Sequence, residues 1–220
     1  MYQKHLTTIR FIELDTEQKT FRDAIWAKDK TIVFCNARAG TGKTTIATGV
    51  ADLLVKYGRY NGIVYISSPC QEEKQGYLKG SLEEKSAPYA DAFYDALEKI
   101  GVNINTATFD DIMNEKNGTA YIRAITHTFL RGTNFENKVV IIDEAQNYYF
   151  DELKKVLTRM HDSCKVIVIG HSKQCDLFHN PERSGFVKYL NHFAKDDRCA
   201  VCELTTNYRG WLSNMADELE

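Results

Sequence analysis

Residues 37–45 read Ala37, Arg38, Ala39, Gly40, Thr41, Gly42, Lys43, Thr44 and Thr45, a glycine-rich turn that ends on a lysine and two hydroxyls. Glycines let successive backbone N–H groups converge on phosphate oxygens. A helix starting at Lys43 would add the partial positive charge of its N-terminus. In that pattern Lys43 reaches the β and γ phosphates of a nucleoside triphosphate, and Thr44 offers its hydroxyl to Mg2+. From average residue frequencies such an eight-residue pattern arises in roughly one or two of a hundred chains of this size. A strand before it and a helix after it make chance rarer still. Ala37 stands where the pattern usually has its first glycine, which leaves the phosphate-facing residues unchanged.

A bound Mg2+-triphosphate calls for a carboxylate at the end of another strand, and Val139–Ile142 followed by Asp143 and Glu144 supplies it. Asp143 would face the metal, and Glu144 would orient or deprotonate the attacking water. A third apolar run, Val166–Ile169, ends in Gly170, His171, Ser172, Lys173 and Gln174. Gln174 is placed either to sense the γ phosphate or to form part of a plain polar loop. Arg209, in Thr205-Thr206-Asn207-Tyr208-Arg209, reads either as the arginine that neutralises charge in phosphoryl transfer or as a solvated surface arginine. Cys199 and Cys202 have the spacing of half a zinc site. No second pair lies near them, so they read as a strand carrying two thiols. His171 and His179 do not have a metal-binding spacing. The doublets Asp110-Asp111 and Asp196-Asp197 read as helix starts or loops, with no nuclease site in view.

The elements that must position these residues follow from periodicity. Thr16–Lys28 reads as a helix with Phe21, Ile25 and Trp26 on one side, and Thr31–Cys35 as a strand leading into the glycine-rich turn. Lys43–Tyr57 is helical in spacing and stops at Gly58. Ile63–Ser67 is the next strand. Ser81 and Glu84 form a capping box ahead of a helix with Phe93, Leu97 and Ile100, which Pro88 breaks or restarts. Signals from Val102 to Arg131 are mixed, with β-like pieces at Val102–Ala107 and Ala120–Ile125. Four consecutive β-branched residues at Val139–Ile142 suit a central parallel strand covered on both faces. Strands at Lys165–Ile169 and Ala200–Leu204 alternate with helices at Asp151–His161, Glu182–Phe193 and Trp211–Glu220. The series is βαβ, an α/β domain in three layers with a mainly parallel sheet, and sites in such sheets lie at the carboxyl ends of the strands.

The composition fits a globular chain: 220 residues, 43% hydrophobic and 26% charged, enough for one large domain. A net charge of −2 gives no global field to hold nucleic acid or an anionic membrane, so any such contact must be local. No apolar run reaches the length of a membrane span, the first ten residues lack the apolar stretch of a signal peptide, and the six cysteines are scattered. A cytoplasmic protein with reduced thiols is expected.

Together ARAGTGKT, GYLKGSLEEKSAPYADAFYDAL, IIDEAQN and LTRM with KVIVIGHSKQCDL resemble the PhoH family of RecA-fold ATPases over nearly the whole chain. The resemblance implies one RecA-like P-loop NTPase domain over residues 1–220, related to the first motor domain of superfamily 1 helicases, with a family-specific insertion at roughly 70–131. It implies ATP and Mg2+ as ligands, with Lys43, Glu144, Gln174 and Arg209 catalytic, Thr44 and Asp143 at the metal, and Gln18 reading adenine beside the loop from Ala37 to Thr45. LTTNYRG is similar to the helicase arginine motif, which in a one-domain protein would serve an adjacent subunit. A homo-oligomeric ring, hexameric by that likeness, follows. Arg131-Gly132-Thr133 resembles the family stretch leading into the DEAQ strand, and His171 replaces the family's usual aspartate. The size and acidic balance are similar to versions carried by tailed phages, which would place the protein in a host cytoplasm. The family's association with RNA implies an RNA or single-stranded nucleic-acid partner. Lys74, Tyr77, Lys79 and Lys85 offer local charge and stacking for it, although they read first as a solvated helix face. Two other classes share some of these features. One is a nucleotide-switched interaction module without motor activity. The other is a thymidine-kinase-like phosphotransferase, which normally needs a second CxxC pair for zinc.

Overall fold

A computed structural model of the chain describes residues 8–9, 12–68, 89–130, 132–174 and 183–217. The capping box at Ser81 and Glu84, the break at Pro88, the residues Lys74, Tyr77, Lys79 and Lys85, and also Arg131 and His179, lie outside them.

A short antiparallel pair, β1 (Thr8–Ile9) and β2 (Ile12–Glu13), precedes α1 (Thr16–Trp26). Asp15 caps α1 by accepting from the Gln18 N–H at 2.7 Å while Gln18 accepts from the Asp15 N–H at 3.1 Å, a reciprocal capping box. Then come β3 (Ile32–Ala37), α2 (Lys43–Lys56), β4 (Ile63–Ser67), α3 (Asp91–Lys99), α4 (Ile104–Ala107), α5 (Ile112–Lys116) and β5 (Ile122–Thr126). The chain continues with β6 (Val139–Ile142), α6 (Phe150–Leu157), β7 (Lys165–Gly170), α7 (Phe186–Phe193), β8 (Cys199–Leu204) and α8 (Trp211–Asp217).

Six strands form one sheet in the order β5-β4-β6-β7-β3-β8, every pairing parallel. Alternate residues of each inner strand face opposite layers. Val33, Cys35, Tyr65, Ile141 and Ile169 pack with Phe21, Ile46, Val50, Phe93 and Leu97 of α1, α2 and α3. Phe34, Val64, Ile66, Val140 and Val168 pack with Tyr148, Leu153, Val156 and Phe186 on the side of α6 and α7. The continuous apolar strands are explained by this two-sided cover, and the three layers match the expected architecture.

The β-like reading of Val102–Ala107 is corrected: Ile104–Ala107 is the short helix α4. The Asn103 side chain accepts from the Asn105 N–H at 3.1 Å, a local cap that decides the backbone against β propensity. Asp111 likewise caps α5 by accepting from the Met113 N–H at 2.8 Å. The helix expected to run from Asp151 to His161 stops at Leu157. Beyond it, the Phe135 N–H donates to the Arg159 carbonyl at 2.9 Å and the His161 N–H to the Phe135 carbonyl at 3.0 Å, so the chain is drawn into a bridge. The helix expected from Glu182 begins at Phe186.

Candidate nucleotide site

The carboxyl ends of β3, β6 and β7 converge, and the glycine-rich turn closes over them. Gly40 and Gly42 have φ of +74° and +79°, the left-handed region in which side chains are strained. Gly42 is also the N-cap of α2 and supplies no side chain, so no side-chain cap satisfies the first N–H groups of this 14-residue helix. That open, positively polarised end suits a phosphate. The turn is held from outside: Gln18 donates from Nε2 to the Thr41 carbonyl at 2.9 Å, and the Arg38 N–H donates to the Leu204 carbonyl at 3.2 Å.

Asp143 joins this turn to the acidic strand end. Its Oδ2 accepts from the Thr44 hydroxyl at 2.8 Å and from the Tyr65 hydroxyl at 3.1 Å, and its Oδ1 accepts from the Glu144 N–H at 2.9 Å. Burial pushes the Asp143 carboxyl above its ordinary range, and the neighbouring Glu144 adds to that. A buried carboxylate beside a threonine hydroxyl, both hard oxygen donors, fits Mg2+, which usually takes only one or two protein ligands and fills the rest with water and phosphate.

Glu144 has φ 49° and ψ 42°, a left-handed conformation that is rare for a non-glycine residue and is found at sites where the surroundings enforce it. The bend places its carboxylate 3.0 Å from Lys43 Nζ, and Gln146 Nε2 donates to its other oxygen at 2.5 Å. Burial works to raise the Glu144 carboxyl, but the Lys43 ammonium and the Gln146 amide outweigh it and hold the group below the usual range. For Lys43, burial works to lower its pKa, while Glu144 and Asp143 outweigh it and hold the ammonium charged. Gln146 also accepts from the His171 N–H at 3.0 Å, and the Ser172 N–H donates to Asn36 Oδ1 at 3.0 Å. Thus the end of β7 is tied to both neighbouring strand ends.

The segment after β8 folds back over the turn. The Tyr208 N–H donates to the Gly40 carbonyl at 2.9 Å, the Tyr208 hydroxyl bonds the Asp15 carboxylate, and Thr205 donates to the Glu17 carboxylate from N–H at 2.7 Å. A Cβ at Gly40 would lie 2.2 Å from Asn207 Oδ1 and 2.9 Å from Arg209 Cγ, so only glycine admits this approach. Arg209 therefore packs its stem against the turn of its own chain.

Lys43, Thr44, Asp143 and Glu144 form one cluster, and Gln18 and Arg209 reach the same turn. Ala37 ends β3 fully buried, while Arg38 and Gln174 are exposed. Tyr65, Gln146 and Asn207 were not singled out by sequence. Tyr65 did carry a signal: a phenol in an aliphatic inner strand needs a partner for its hydroxyl. Cys199 and Cys202 belong to opposite layers of the core, so they cannot share a metal, in keeping with two strand thiols.

A family model described as PhoH-like protein matches residues 11–209. Protein PhoH of Escherichia coli is 31% identical over 195 residues, covering 81% of this chain and 52% of that protein. A PhoH-like protein of Synechocystis is 34% identical over 172 residues, covering 76% of this chain and 50% of that protein. The chain thus spans about half the length of these curated relatives. Among solved structures, the large terminase of bacteriophage HK97 superposes with a TM-score of 0.52 at 13% identity, over 94% of this chain and 43% of that one. That likeness is one of fold, the RecA-like P-loop type.

Proposed function

The chain belongs to the PhoH-like protein family, and from that premise we propose that it binds and hydrolyses ATP with Mg2+, acting as an oligomeric, helicase-like motor on RNA or single-stranded nucleic acid. One observation carries the ATPase reading: the hydroxyl of Thr44 and the carboxylate of Asp143, 99 positions apart, meet at 2.8 Å beside the open N-terminus of α2.

The residues have separable tasks. Bound Mg2+ would neutralise the β and γ oxygens, held by Thr44 and Asp143. The N–H groups of the turn and of the first turn of α2 bind phosphate oxygens. Lys43 exchanges Glu144 for the γ phosphate when the triphosphate enters, and this releases the Glu144 carboxylate to accept a proton from water. Gln146 keeps one of its oxygens fixed for that step. The position of Arg209 over its own Gly40 supports action in cis; action on a neighbour's site is the alternative. Mixing Arg209→Ala with Glu144→Gln subunits separates them, since only action in trans restores turnover. Gln174, exposed beyond β7, is assigned to γ-phosphate sensing by the family resemblance.

Oligomerisation is supported by an exposed apolar group at the C-terminal side: Tyr208, Trp211, Leu212 and Met215, with Trp211 and Leu212 each 75% exposed. The test of the motor reading is steady-state ATP turnover with and without RNA, single-stranded DNA and duplex at fixed salt. Strong stimulation by single strands is expected, and equal rates with all polymers and with none would contradict a nucleic-acid motor.

A further inference from the structure

The Mg2+-facing aspartate has a partner that belongs to neither nucleotide motif. Tyr65 lies in the middle of β4, opposite Ile141 of β6 in the strand register, and Asp143 is two residues further along on the same face. A diagonal neighbour of this kind is out of reach for short side chains but within reach of a phenol. Tyr65 is 2% exposed, and its hydroxyl donates to Asp143 Oδ2 at 3.1 Å. Phe93 of α3 stacks on it with centroids 4.4 Å apart and planes 7° from parallel, so the hydroxyl cannot swing away while the stack persists.

We propose that Tyr65 is a positioning residue for the metal, its hydroxyl fixing the Asp143 carboxylate in the orientation that faces Mg2+ and Phe93 fixing its ring. This rests on the Mg2+-nucleotide reading above. Among the described residues Asp143 Oδ2 has two donors, Thr44 and Tyr65. On the Mg2+ reading Thr44 would be the donor given up to the metal. The remaining donors are the Tyr65 hydroxyl on Oδ2 and the Glu144 N–H on Oδ1, one on each oxygen, and together they prevent rotation of the carboxylate. Partners that orient a ligating carboxylate strengthen metal binding without touching the metal. A phenylalanine at this position would keep the stack and the packing and lose only that control.

The test uses the full chain with a non-hydrolysable ATP analogue and Mn2+ as the oxygen-liganded probe. Bound metal is read by loss of the free-ion signal in electron paramagnetic resonance, and analogue affinity is measured separately in EDTA. Tyr65→Phe is expected to weaken Mn2+ binding in the ternary complex about tenfold, the scale of losing an orienting partner, while analogue affinity in EDTA stays at the wild-type value. Phe93→Leu, which keeps the hydroxyl but removes the stack, is expected to show a smaller loss in the same direction. Wild-type Mn2+ affinity in folded Tyr65→Phe would overturn the proposal, whatever happens to its melting temperature, because a merely structural hydroxyl changes stability alone. If Tyr65→Phe does not fold, unchanged Mn2+ affinity in Phe93→Leu overturns it instead. If the wild-type protein itself gains no Mn2+ site with the analogue, the nucleotide reading fails first.

Discussion

The two ends of the sheet each hold a lysine largely out of solvent, and the two are treated in opposite ways. Lys43, beyond the carboxyl end of β3, faces Glu144 at 3.0 Å with Asp143 behind it, and these carboxylates hold it charged despite burial. Lys165, the first residue of β7 at the amino end, is 1% exposed and donates to the carbonyls of Ala27, at 2.7 Å, and Lys30. Those carbonyls satisfy its donors but carry no formal charge, and burial followed by the nearby Arg59 pulls its pKa down to about 8. Burial of a cation alone therefore does not mark a site. What distinguishes the carboxyl end is a facing carboxylate, which on the proposed reading a triphosphate would replace, next to an uncapped helix. Lys165 instead plugs the C-terminal end of α1, where Ala27 is the cap residue.

The contrast is broken most directly by removing each cation. Lys43→Ala is expected to abolish measurable ATP turnover, while folded Lys165→Met keeps the wild-type rate. Comparable loss in both, measured by phosphate release, would erase the distinction. Next in size, Arg209→Ala should lower turnover by about 10³-fold or more with nucleotide affinity retained. A wild-type rate would return Arg209 to an ordinary surface arginine. Gln146→Ala frees the Glu144 carboxylate and the His171 N–H from their shared partner, and a fall of roughly 10- to 100-fold in turnover with unchanged nucleotide binding is expected. Loss of binding instead would place Gln146 in the phosphate pocket.

The smallest effect concerns the amino end. Because the folded pKa of Lys165 lies at about 8, below its ordinary 10.5, the folded protein disfavours the charged form. That penalty is complete below the folded value and fades as pH rises toward the unfolded one, where the unfolded chain binds more protons. The melting temperature of wild type relative to Lys165→Met should therefore rise between pH 8 and 10, by about 4–8 °C. A difference independent of pH would mean that Lys165 is not held against its charge.

Much of the positioning frame was legible because it depends on local pattern. Val139–Ile142 and Ile63–Ser67 are strands over the residues their β-branched runs mark, and Lys43 opens α2 where the glycines stop. The meeting of Thr44 with Asp143 was legible as a paired requirement of triphosphate chemistry. What local pattern missed depends on approach in space. The return of residues 205–209 over Gly40 is set by side chains at the start of α1, Glu17 and the cap residue Asp15, almost two hundred positions away. Gln146 gave no sign of its double role, since its partners, Glu144 and the His171 N–H, meet only when β6 and β7 pair. At α4 the Asn103 cap outweighed β-branched composition, a competition between short-range terms that a periodicity count does not resolve.

Phosphate release from Mg2+-ATP by Glu144→Gln beside wild type, at saturating nucleotide, addresses the core of the mechanism. Glutamine preserves the shape and the contact to Gln146 but cannot accept a proton. Turnover by the wild-type protein and a fall of at least about 10²-fold in the variant, the scale of a lost general base, with ATP still bound, is the expected result. Equal rates in the two proteins would contradict a site in which the carboxylate beside Asp143 activates water.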